Sequence, residues 1–115
     1  MTKVNIVSQV PVSMAHVKEE LVRIKERDQG LGVRAERTAE YLNQMTPETV
    51  KQVDKVIKAV HELQVPRLTD EHIVKMVDLH ATSEEKIKII SQGWAVTISK
   101  ENIKKIADVI AAGLL

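Results

Sequence analysis

The spacing of apolar residues changes once along this chain, near residue 13. Before that point Val4 and Ile6 alternate with Lys3 and Asn5, and Val10 and Val12 flank Pro11. Alternation of this kind predicts a strand or an extended arm. From Ser13 onward apolar residues recur every three or four positions, the period of amphipathic helices. The first helix is expected from about Ser13, its N-cap, to Asp28, with Met14, Val17, Leu21 and Ile24 as its stripe and Gly30 as a left-handed cap. The second, about Val33 to Gln44, places Ala35, Ala39, Leu42 and Met45 on one face. The third opens at Thr46-Pro47-Glu48, which supplies a cap, a proline at the first helical position and an acid at the positive helix end. Met45 and Val50 flank that cap as a hydrophobic staple, the stripe is Val50, Val53, Ile57, Val60 and Leu63, and Pro66 stops it.

Helix four repeats the device, with Thr69 as cap, Asp70 and Glu71 after it, and Leu68 stapled to Ile73. Ile73, Met76, Val77 and His80 form its stripe. Helix five begins with a Thr82–Glu85 capping box, buries Ile87 and Ile90, and ends at Gly93. Helix six starts at Ser99, staples Ile98 to Ile103, and buries Ile103, Ile106, Ala107, Ile110 and Leu114. The expectation is an all-α fold, a six-helix bundle with an N-terminal extended arm. A lone strand leaves its amides and carbonyls unpaired, and nothing else in the sequence reads as a strand. The arm is therefore either disordered or added to a sheet of another protein.

Composition narrows the functional classes. The 115 residues include 43% hydrophobic and 29% charged residues, with a net charge of +1. That gives no global electrostatic case for nucleic acid or for a membrane surface. No apolar run approaches the roughly 20 residues that span a bilayer. Asn5, Ser8, Gln9 and Pro11 interrupt any leader-like stretch, so a cytoplasmic protein is expected. There is no cysteine, which excludes disulfides and thiolate metal sites. One Trp, one Tyr and no Phe leave little for base-stacking platforms.

Candidate chemistry is sparse. His72, Met76 and His80 are spaced to share one helix face, but no third ligand accompanies the two histidines, so no metal and no cofactor are expected. Five of the twelve serines and threonines, Ser13, Thr46, Thr69, Thr82 and Ser99, are read as helix caps, and no nucleophile elbow is present. No catalytic activity is expected. Trp94, after Gly93, reads as a lid on the core. Lys86, Lys88, Lys100, Lys104 and Lys105 face one local acid, Glu101. They form either a phosphate-attracting face or an ordinary solvated one in which Glu101 and Lys105 pair.

The order of these segments resembles the smaller of the two stalk subunits of archaeal DNA-directed RNA polymerase. The resemblance rests on Val10-Pro11-Val12-Ser13 leading into Val17-Lys18-Glu19, on Arg37-Thr38-Ala39-Glu40-Tyr41-Leu42, and on the helices around Lys55–Leu63 and Ile73–Leu79. Glu84–Ile90 and Ile103–Ile106 occupy the positions of the family's last two helices, so that about residues 10–112 are covered. The chain departs from the family at His80-Ala81-Thr82, where a proline is usual, at Gln64-Val65-Pro66 and at Ser91–Trp94.

The resemblance implies three parts: residues 1–12 as an arm that pairs with the larger stalk subunit, 13–45 as docking helices, and 46–115 as a domain similar to the helicase-and-RNase-D C-terminal (HRDC) module. Val4, Ile6, Val10, Val12, Val17, Leu21 and Tyr41 would meet that partner. The five lysines are the possible RNA contacts. The implied function is that of a stalk component, bound as a heterodimer with the larger stalk subunit on the polymerase core near the RNA exit path. It would support initiation, elongation and termination and guide nascent RNA. A stand-alone HRDC-like nucleic-acid-binding module is the competing expectation. It would need no apolar arm and would usually be more basic.

Overall fold

The structure, a computed structural model, describes residues 3–115. Residues 1 and 2 of the predicted arm lie outside the described residues. Among the described residues there are six helices and no strand: α1 (Met14–Asp28), α2 (Val33–Met45), α3 (Val50–Glu62), α4 (Asp70–Asp78), α5 (Glu84–Ser91) and α6 (Lys100–Leu114). Residues 3–12 carry no secondary structure and are exposed. No helix among them is long and apolar enough to cross a membrane.

Helix α3 organises the packing, because it lies against α1, α4 and α6, while α2 packs on α1 and α5 on α6. Its buried residues are Val53, Val56 and Val60. Each contributes on the order of 1.5–3 kcal/mol on full burial, before the cost of ordering is set against it. They meet Ile73, Met76 and Val77 of α4, Ile87 of α5, and Ile103, Ile106, Ala107 and Ile110 of α6 in one apolar core. The stripes expected for α4, α5 and α6 are therefore buried largely as read. Val56, absent from the expected α3 stripe, is buried too, since α3 faces several neighbours at once.

Helices α1 and α2 form a hairpin that contributes little to this core. Ala15 is the only buried residue of α1, and Leu42 the only one of α2. The stripe residues Met14, Val17, Leu21 and Ile24 are half-buried, and Met45 is exposed rather than on an inner face. The radius of gyration is accordingly 16.2 Å, against about 13 Å for a compact domain of this length.

Ser13, Thr69 and Ser99 cap their helices as expected, each hydroxyl accepting from the amide three residues on. Three other boundaries differ. Thr46 does not cap α3; it closes α2, its amide donating to the Leu42 carbonyl at 2.9 Å. The α3 cap is Thr49, whose Oγ1 accepts from the Gln52 amide at 3.2 Å. Pro47 and Glu48 thus belong to the connection, and the Met45–Val50 staple does not form. At α5 the cap is Ser83, accepting from the Lys86 amide at 3.3 Å. A Thr82–Glu85 box would need the Thr82 amide, which is committed to the His80 carbonyl at 2.7 Å. The left-handed residue after α1 is Gln29, with φ 57°, and not Gly30. His80 lies beyond the end of α4 with φ 52°, so it leaves the Ile73–Met76 face.

These cap positions can be tested by equilibrium unfolding in urea. Thr49→Ala removes the α3 cap and is expected to cost about 1 kcal/mol. The Thr46 Oγ1 is buried with no hydrogen-bond partner, so Thr46→Val is expected to be neutral or stabilising. The reverse order of effects would return the cap to Thr46.

Candidate partner interface

Exposed apolar surface is concentrated at one end of the sequence. Among the described residues twelve large hydrophobic side chains are exposed, and nine of them precede residue 46: Val4, Ile6, Val7, Val10, Val12, Val22, Val33, Tyr41 and Met45. Scattered exposed apolar residues are ordinary, but a concentration of them on one part of a small domain marks an interaction surface.

The arm supplies five of the nine. Val4 is 86% exposed, Ile6 68%, Val7 96%, Val10 77% and Val12 56%. The base of the arm, Val10-Pro11-Val12, lines an open groove with Asp54 and Ile57 of α3 and Val74 of α4. Val17 and Leu21 are half-buried on α1, and Tyr41 is exposed on α2. Met45 was expected on an inner face of α2, whereas Val7, Val22 and Val33 lie outside the alternation and stripes read from the sequence. Val7 falls off the alternation of the arm, and Val22 sits one residue past the α1 stripe; both facts are legible once the buried face is fixed.

Two ion pairs form along α1. Glu20 pairs with Arg23, and Arg27 with Asp28 at 2.8 Å. The hydrogen bond from Arg23 holds the Glu20 carboxyl below its ordinary range, and that from Arg27 does the same for Asp28.

A set of polar contacts fastens the start of α1 to the core. The Met14 amide donates to Asp78 Oδ1 at 3.0 Å, and Lys18 Nζ donates to the Thr46 carbonyl at 3.0 Å. Ser13 Oγ bonds His16 Nδ1 at 2.5 Å, and His16 Nε2 stands 3.0 Å from Asp54 Oδ1. This serine–histidine–aspartate line has the residue types of a catalytic triad. Ser13, however, is 1% exposed and caps α1 through the His16 amide. A nucleophile must reach its substrate, and this hydroxyl faces the protein. The line is a tie between α1 and α3. His80 makes a similar tie to Glu48, whose side chain is nearly buried.

The other sequence candidates are placed apart. His72 stacks on Trp94 with ring centroids 4.2 Å apart, and its Nδ1 accepts from the Thr69 amide at 3.2 Å. Trp94 packs against the core as a lid. No three His, Asp or Glu side chains converge to hold a metal among the described residues. The five lysines are all exposed, Lys86 and Lys88 on α5 and the others on α6. Lys105 pairs with Glu101 at 3.2 Å, and Lys86 Nζ donates to Thr82 Oγ1 at 3.3 Å. Lys88, Lys100 and Lys104 form no ion pair among the described residues.

Asp78 offers a test of the α1 tie. Burial raises its pKa, an effect opposed by the Met14 amide and by His80 and His16. A carboxyl raised in the folded state favours folding when protonated, and that contribution is lost as pH rises through the folded pKa. Asp78→Asn keeps an acceptor for Met14 and has no charge to desolvate. Its stability relative to the parent chain should therefore be greater at pH 7 than near pH 3, by urea unfolding at both. The opposite trend would show the carboxylate to be favoured by its neighbours.

Comparison of the chain with protein-family models, with curated proteins and with solved structures gives no match.

Proposed function

We propose that this chain is a non-catalytic stalk component of a DNA-directed RNA polymerase, similar to the smaller archaeal stalk subunit, working in the cytoplasm as a heterodimer with the larger one. The observation that carries the reading is the concentration of exposed apolar residues in the arm and the α1–α2 hairpin. A stand-alone helical module has no use for such a surface, whereas a chain completed by another chain does.

In this reading the chain divides by role. Residues 3–12 and α1–α2 meet the larger stalk subunit, through Val4, Ile6, Val10, Val12, Val17, Leu21 and Tyr41. Helices α3–α6 form an HRDC-like unit that carries its own core. The heterodimer sits on the polymerase core, supports initiation, elongation and termination, and guides nascent RNA. Any RNA contact by this chain falls first to Lys86, Lys88, Lys100 and Lys104, which form no ion pair among the described residues, and less to Lys105, which is paired with Glu101.

The test is co-expression with the candidate larger stalk subunit of the same organism, followed by co-purification. The full chain is expected to hold that protein at a 1:1 ratio. A chain lacking residues 1–12 should keep its helical circular dichroism, because the arm adds nothing to the core, and should lose the larger stalk subunit during purification. Full retention by the truncated chain would move docking wholly to the helices. No retention by the full chain would remove the stalk reading.

A further inference from the structure

The hairpin α1–α2 is tied to the rest of the chain at its base, and both of its ends meet the C-terminal end of α4. Of the hairpin only Ala15 enters the common core. Leu42, the one buried residue of α2, stands outside it, and none of the half-buried apolar side chains that pack on it comes from α1 or α2. The hairpin thus has little apolar hold on α3–α6. Its polar hold lies where the chain enters and leaves. At the entry the Met14 amide donates to Asp78 Oδ1 at 3.0 Å. At the exit Glu48 bonds His80 Nε2. Lys18 Nζ reaches the Thr46 carbonyl at 3.0 Å, so entry and exit are fastened to each other as well. The His16–Asp54 pair, at 3.0 Å, adds a tie to α3.

His80 is an uncommon residue for its place. Its amide donates to the Val77 carbonyl at 3.1 Å, and the Ala81 amide donates to the Met76 carbonyl at 3.0 Å. These are the paired bonds of a Schellman helix end, in which the left-handed position is ordinarily a glycine. His80 occupies that position with φ 52°. A side chain is disfavoured there, and one persists where its surroundings hold it. The surroundings here are the carboxylate of Glu48, whose side chain is only 8% exposed. A carboxylate so far from water needs a hydrogen-bonding partner.

We infer that residues 78–80 latch a hairpin that opens as one unit, and that His80 is the positioning residue of the latch, turned into the left-handed region to reach Glu48. Opening frees both ends of the hairpin and leaves α3–α6 packed, because their core draws on Ala15 alone. Elements with few buried apolar contacts are those that open below global unfolding. The backbone and the ring of His80 then act on different equilibria. The left-handed backbone belongs to the end of α4 and is the same with the hairpin shut or open. The Glu48 contact exists only with the hairpin shut. The latch is a property of the free chain and holds whatever its partner is.

Native-state hydrogen exchange of the full chain, followed by NMR in sub-denaturing urea, separates the two equilibria. In the parent chain the amides of α1 and α2 are expected to share one opening, populated at least about tenfold more than that of α3 and α6. His80→Gly is expected to speed exchange in α1 and α2 by about tenfold, because Glu48 loses its partner. Amides of α3 and α6 should keep their rates or slow, because glycine relieves the end of α4. Glu48→Ala removes the same contact without touching that backbone and should speed α1 and α2 while leaving α3 and α6 unchanged. Asp78→Ala frees the entry and should speed α2 together with α1. Equal protection of hairpin and core in the parent chain would overturn the opening. One common factor across all six helices in His80→Gly, or no acceleration in α1 and α2, would reduce His80 to a helix cap. Acceleration confined to the first turn of α1 in Asp78→Ala would show that the hairpin does not open as a unit.

Discussion

Helix α3 is the element through which the parts of this chain are joined. It lies between α6 and α4, and it receives the start of α1 on a further side. Its contact with α6 is close enough to dictate residue size. A methyl group built on Gly113 would stand 2.2 Å from Cγ2 of Val56, inside the van der Waals distance of two carbons. Val56 is buried and β-branched, so it has little freedom to withdraw. Gln52 reaches across the same approach to the Gly113 carbonyl at 3.0 Å. A small residue on α6 and stiff valines on α3 thus set the separation of the two helices, and the remaining core residues fill what that separation leaves.

The same arrangement explains why the N-terminal third is exposed. With α3 committed to α4 and α6 along its length, α1 gains only its first turn against the core. That turn is held by Ala15, by the Met14–Asp78 hydrogen bond and by the Ser13–His16–Asp54 line. The rest of the hairpin projects, with only Leu42 of α2 buried. The polar ties fix the direction in which the hairpin leaves the core and so fix where the arm begins. Their role is geometric: charge-assisted contacts between partly exposed groups add little stability but restrict orientation.

Most of the helical architecture could be read from residue spacing, because the buried faces of α4, α5 and α6 follow one stripe each. Reading failed where local signals competed. Thr46 and Thr49 both precede the α3 stripe, as Thr82 and Ser83 precede that of α5. At α3 a neighbour distant in sequence bears on the choice, Glu48 being drawn to His80; at α5 the choice is local, the Thr82 amide being taken by the His80 carbonyl two residues before it. Val56 was missed because a single-stripe reading assigns a helix one partner. The His72–Trp94 stack joins α4 to the connection after α5 and leaves no periodic trace. Residues 3–12 stand apart in the sequence because their period differs from the rest, and they form neither helix nor strand. Val7 was the exception, being apolar on the polar face.

The central claim is that the backbone of residues 3–12 is unpaired in the chain alone and paired by a second chain. Amide hydrogen exchange followed residue by residue, on the free chain and on its complex with the larger stalk subunit, measures this directly. Unprotected exchange is predicted along residues 3–12 in the free chain, and in the complex a protection of these amides that the free chain lacks. The amides of α3–α6 should change little. Arm amides that stay unprotected in the complex would contradict the claim.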